Sequence, residues 1–157
     1  MGWLGYTLYA GDSTQSCHSA FLEWAGIEID YDTDDGDEYY YSIFTSRGTF
    51  IPKDLIPIFV KNINKVLKKM PKIKMSRVKN IKYWDEYNAL EWQMLLALFV
   101  DNKLKIPQII YDNGIEATEF LMGEHASDFD KPWLRRAALK RFITKAGKIY
   151  DDNKNTK

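Results

Sequence analysis

The sequence predicts an α+β fold, predominantly helical, in which one N-terminal β-hairpin packs with about five helices. Three observations lead there. Apolar residues recur near a 3.6-residue period in several windows between residues 13 and 150. The stretch 27–44 alternates instead and is dense in strand-favouring side chains around Asp35-Gly36. At 157 residues and 45% apolar, the chain is sized for one domain with its own core, taken as residues 1–150, followed by a polar tail over 151–157.

The first helix is expected over 13–25. Asp12 and Ser13 suit a helix start, Cys17, Ala20, Phe21 and Trp24 recur at helical spacing, and Gly26 offers a stop. Ile27, Ile29 and Tyr31 then alternate into an acidic run, and Tyr39, Tyr40, Tyr41 and Phe44 complete the predicted hairpin with an acidic tip. A helix follows over 54–70. Leu55, Phe59, Ile63, Val66 and Met70 gather on one side of it, Lys61, Lys65, Lys68 and Lys69 on the other, with Pro57 tolerated in the first turn.

Residues 72–82 are basic without a clean period and read as a strand or a loop. The window 84–101 is apolar on most sides and opens with Asp85 and Glu86, so it is taken as the central buried helix. Pro107 and Asn113-Gly114 divide the next stretch into two short helices, 107–112 and 115–124. The last helix starts with Pro132 in its first turn and runs to about Tyr150, with Trp133, Leu134, Ala137, Phe142 and Ala146 as its apolar side.

Charge is unevenly distributed. Residues 1–50 hold nine acids and one base, residues 51–82 ten bases and one acid, and the remainder twelve acids and eleven bases, so the net is zero while the field is not. The final helix adds Lys131, Arg135, Arg136, Lys140, Arg141, Lys145 and Lys148 with no acid over 131–150. The lone Cys17 excludes an internal disulfide and every multi-cysteine zinc motif, in keeping with a cytoplasmic setting. The opening has no charged leader, Tyr6 breaks the myristoylation pattern, and the longest apolar run, 94–100, falls far short of the roughly 20 residues of a membrane span, so neither secretion nor a membrane partner is expected.

Catalytic motifs are hard to place. Asp30, Asp32 and Asp34 imitate a calcium loop, but Gly36 falls one position after the required glycine and Tyr41 stands where a bidentate Glu is needed, so no metal is predicted. Of the two histidines, His125-Ala126-Ser127 fits half of a paired-histidine phosphodiesterase pattern and His18-Ser19-Ala20 does not. Cys17 beside His18 is a poor nucleophile–base pair, since neighbours on a helix point apart, and Cys17 reads as a small core residue. Glu91 shares a helix face with Trp84, Tyr87, Leu95 and Leu98, so burial there demands a donor or a shifted pKa. P-loop, dinucleotide turn, nucleophile elbow and zinc helix are all missing. No catalytic residues and no cofactor are predicted.

Met1-Gly2-Trp3-Leu4-Gly5 followed by Asp12 resembles the opening of small uncharacterised bacterial and phage proteins that begin glycine-aromatic-glycine, departing from it in the order Trp-Leu-Gly. The resemblance covers only the opening segment and implies no activity. Together with a composition rich in Lys, Asn, Ile and Tyr, it implies a phage-type accessory protein. The leading expectation is a non-catalytic inhibitor or modulator of a host protein. It would bind through Asp32, Asp34, Asp35, Asp37, Glu38, Tyr39, Tyr40 and Tyr41, since tyrosines beside acids supply contact area and hydroxyls together. The alternative is nucleic-acid binding by two basic helices, through Lys61, Lys65, Lys68, Lys72, Lys74, Arg135, Arg136 and Arg141. An enzyme with an unrecognised site ranks third, and pairing of acidic with basic faces between copies is compatible with a homo-oligomer.

Overall fold

The longest apolar run of the sequence becomes the helix on which the others pack. The computed structural model describes residues 12–28, 51–72, 74–75, 82–83, 85–123 and 131–155. Within them lie α1 (Asp12–Trp24), a 3₁₀ turn (Lys53–Leu55), α2 (Ile56–Lys61), α3 (Ile63–Lys69), the two-residue strands β1 (Lys74–Met75) and β2 (Lys82–Tyr83), α4 (Glu86–Asp101), α5 (Gln108–Leu121) and α6 (Pro132–Asn155).

Helix α4 is the expected central helix. The Asp85 carboxylate accepts from the Asn88 N–H at 2.8 Å and caps its start. Every residue from Trp92 to Val100 is buried, as an all-round apolar helix must be. At the far end the Asn102 side chain donates to Leu98 O at 2.8 Å and accepts from the Ile51 N–H at 2.9 Å. Lys103 takes the left-handed position at φ 54° that glycine usually fills, and the Leu104 N–H closes back on Phe99 O at 3.0 Å.

Helix α5 makes the most extensive contact with α4. It is one helix where two short ones were expected, because Asn113-Gly114 marks a close approach and no turn. Both residues are buried, and a Cβ on Gly114 would stand 2.6 Å from Leu96 Cβ and 2.7 Å from its Cδ2. Only glycine lets the two backbones come this near.

Helix α1 packs on α4 and ends as predicted at Gly26, whose φ of 80° allows the Ile27 N–H to reach back to Leu22 O at 2.9 Å. Its buried side is His18, Phe21 and Leu22, with Ala25 and Ile27 just beyond, while Cys17, Ala20 and Trp24 are half-buried. The expected 54–70 helix is real in its faces. Phe59, Val66 and Met70 are buried, Leu55 and Ile63 half-buried, and the lysines exposed. It is broken at Asn62 into α2 and α3, because the Asn62 side chain leaves the helix to donate to Ala25 O at 3.0 Å. Phe59 meets Phe99 with ring centroids 5.9 Å apart, and Trp92 Nε1 donates to Pro71 O at 3.1 Å, tying this unit to α4.

Helix α6 presents Arg135, Leu139, Phe142, Ala146 and Tyr150 to the core, so its apolar side is rotated from the expected one and Trp133 and Leu134 face out. It runs past Tyr150 to Asn155. Its last turns are held by the Asn153 side-chain Oδ1, which accepts from the Ile106 N–H at 3.1 Å, and by Tyr150 stacked on Tyr111 at 4.0 Å with the Lys154 ammonium 4.4 Å from the Tyr150 ring.

The α+β expectation is overturned: the described residues are helical. Extended pairing among the described residues is confined to β1 and β2, antiparallel with Lys74 opposite Tyr83 and Met75 opposite Lys82, which is too short to form a layer. Ile27, expected as the first hairpin residue, is spent on closing the α1 stop. The rest of the expected hairpin, from Ile29 onward, lies outside the described residues.

Candidate nucleic-acid interface

The predicted protein-docking set, Asp32, Asp34, Asp35, Asp37, Glu38, Tyr39, Tyr40 and Tyr41, lies outside the described residues, as do Trp84 and His125. The predicted basic set divides. Lys61, Lys65 and Lys68 are exposed along α2 and α3, Lys72 is exposed just beyond, and Lys74 is in β1 with its side chain outside the description.

The α6 arginines have separate jobs. Arg135 is only 3% exposed on the core side, where burial pulls its pKa down to about 10, so it is withdrawn from any phosphate surface. Arg136 donates through Nε to Met122 O at 3.0 Å and through Nη2 to Gly123 O at 3.4 Å, satisfying carbonyls just beyond the α5 C-terminus. Arg141 is exposed.

What α6 brings together is a different set. Lys140, Arg141, Thr144, Lys145 and Lys148 are exposed and, with Ala137, line an open hollow of about 570 Å³. Lys140, Lys145 and Lys148 were read as basic residues of this helix but not as its binding face. The signal was there: Leu139, Phe142, Ala146 and Tyr150 repeat at steps of three and four and fix the inward side, which leaves these cations outward. Trp133, 63% exposed, stands at the N-terminal end of the same outward sector.

A second polar group lies where α1 meets α4. His18 is 1% exposed, and burial pushes its pKa down to about 3, so the ring is neutral. Burial, reinforced by Glu91, pushes the Cys17 thiol up to about 12. The half-buried Glu91 is itself raised, first by burial and then by Asp85. A thiol held protonated beside a neutral, enclosed imidazole has neither the nucleophile nor the access that acyl-transfer chemistry needs. Inside the α4–α5 contact the Gln93 amide nitrogen lies 3.4 Å from Thr118 Oγ1, which donates to Gly114 O at 2.7 Å.

Among the described residues no group of three or more His, Cys, Asp or Glu could hold a metal ion, and no helix is long and apolar enough to cross a membrane. No protein-family model, curated protein or solved structure matches the chain.

Proposed function

We propose that this protein is a non-catalytic binding protein that holds nucleic acid on the outward face of α6. The observation that supports the reading is the joint exposure of Lys140, Arg141, Lys145 and Lys148 around one open hollow, in a segment, 131–150, without an acid. Spread over residues 140–148, these cations cover about 12 Å of helix axis. A polymer of phosphates can meet several of them at once, release its counterions and gain affinity without any reacting group. Arg141 adds a planar fork for one phosphate. The lysines of α2 and α3 offer a second field of the same sign.

The test is anisotropy of a labelled oligonucleotide over a salt series. Binding at low salt should weaken with a log–log slope of about −3, and replacing Lys140, Arg141, Lys145 and Lys148 together by Gln should remove most of that slope. No binding at low salt, or a flat salt response, sinks the reading. Capture of a host protein through the acidic, tyrosine-rich run at 32–41 is the second reading, favoured by the sequence. It predicts partner capture that survives the α6 quadruple variant and is lost when Asp32, Asp34, Asp35 and Asp37 become Asn.

A further inference from the structure

Resting on that reading, we infer that α6 takes single-stranded nucleic acid, with Trp133 as the platform on which a base stacks while Lys140 and Lys148 follow the phosphates. Three observations carry this. Trp133 is a large indole left 63% exposed, and Leu134 beside it is 41% exposed. At about 100° per residue, Trp133 falls on the same outward sector as Lys140, Thr144 and Lys148, so aromatic and cations form one continuous track. The cations stand C-terminal to the indole, so a strand lying along the helix would meet the ring first and the charges afterwards.

That combination, an accessible aromatic face next to a cationic groove, is how proteins grip single strands without reading their sequence. In a duplex the faces of the bases are already occupied by their neighbours, so the indole could contribute little there. A membrane surface would also accept tryptophan with lysine, but it requires a helix whose apolar side is free to enter lipid. Here that side, Leu139, Phe142, Ala146 and Tyr150, is buried in the core.

The experiment measures the full chain and its Trp133→Ala and Trp133→Phe variants against a short oligothymidylate, an abasic oligomer of equal length and a duplex. Trp133→Ala should weaken oligothymidylate binding roughly ten- to a hundred-fold, the effect of removing one stacked base, while Trp133→Phe retains most of it. Binding to the abasic oligomer and to the duplex should be indifferent to both variants. Because the indole is exposed, unchanged melting curves should accompany these changes. If oligothymidylate binds with the expected salt slope but Trp133→Ala changes nothing, or duplex binds as tightly, the single-strand inference fails and the basic-face reading stands. If no nucleic acid binds and phosphatidylserine vesicles do, both fail.

Discussion

Two seams close on α4, and they are held by different physics. On the α5 side the fit is steric: Gly114 sits against the Leu96 side chain with no space for a methyl group, and the polar groups there, Gln93 and Thr118, do not titrate. On the α1 side the fit is polar: a neutral buried His18 lies next in sequence to the protonated Cys17, and Asn62 of the α2–α3 break reaches across to Ala25 O. The first seam should be intolerant of volume and indifferent to acid, the second sensitive to acid.

The largest effect is expected at the steric seam. Gly114→Val should cost at least about 3 kcal/mol, the upper part of the range for overpacked cores, because the neighbouring Leu96 atoms include its Cβ, which moves only with the backbone. The same loss of stability should appear at neutral and acid pH in urea unfolding. Gly114→Ala combined with Leu96→Ala should be less destabilised than the two single costs add to, since the truncation removes the Cγ and Cδ2 contacts while the Cβ contact remains. A Gly114→Val protein as stable as the parent would show that the seam can open freely.

The titrating seam should yield to acid. His18 has a folded pKa near 3 against about 6.5 unfolded, so the unfolded chain takes the proton first. Its contribution is therefore intact above about pH 6.5 and is lost progressively as pH falls toward 3, reaching about 2 kcal/mol at pH 5. Glu91 acts in the opposite sense. Its raised carboxyl is protonated earlier in the folded state, which returns some stability as pH falls toward the ordinary carboxylate range. Urea unfolding at neutral pH and near pH 5 for the parent and His18→Gln isolates the histidine; an equal loss in both would place the acid sensitivity elsewhere.

The smallest effect belongs to the break between α2 and α3. Asn62→Ala removes the 3.0 Å bond to Ala25 O, worth about 1 kcal/mol, while alanine returns roughly half of that in helix propensity. Helical ellipticity should rise as the melting temperature falls slightly. A rise in both would mean the side-chain bond to Ala25 adds nothing to the seam.

The same seams mark how far the sequence could be read. Faces of helices were legible wherever apolar period and lysines agreed, as at Phe59, Val66 and Met70, and ends were legible where Asp85 and Gly26 carry local chemistry. Continuity was not. Asn62 looks harmless in a helix and breaks one, whereas Asn113-Gly114 looks like a turn and runs straight through, because in each case the deciding partner, Ala25 O or Leu96, is distant along the chain. The candidate interface was half legible for a related reason. Charge located α6, but which arginine is buried, which caps α5 and which faces out depends on rotation about the helix axis, and the exposed Trp133 misdirected it.

Cys17 gives the α1 seam a practical meaning. It is the chain's single thiol, and burial beside Glu91 keeps it in the unreactive S–H form up to strongly alkaline pH. Alkylation of the native protein should thus be slower than that of the unfolded chain, with no label to engineer and no second sulfhydryl to subtract.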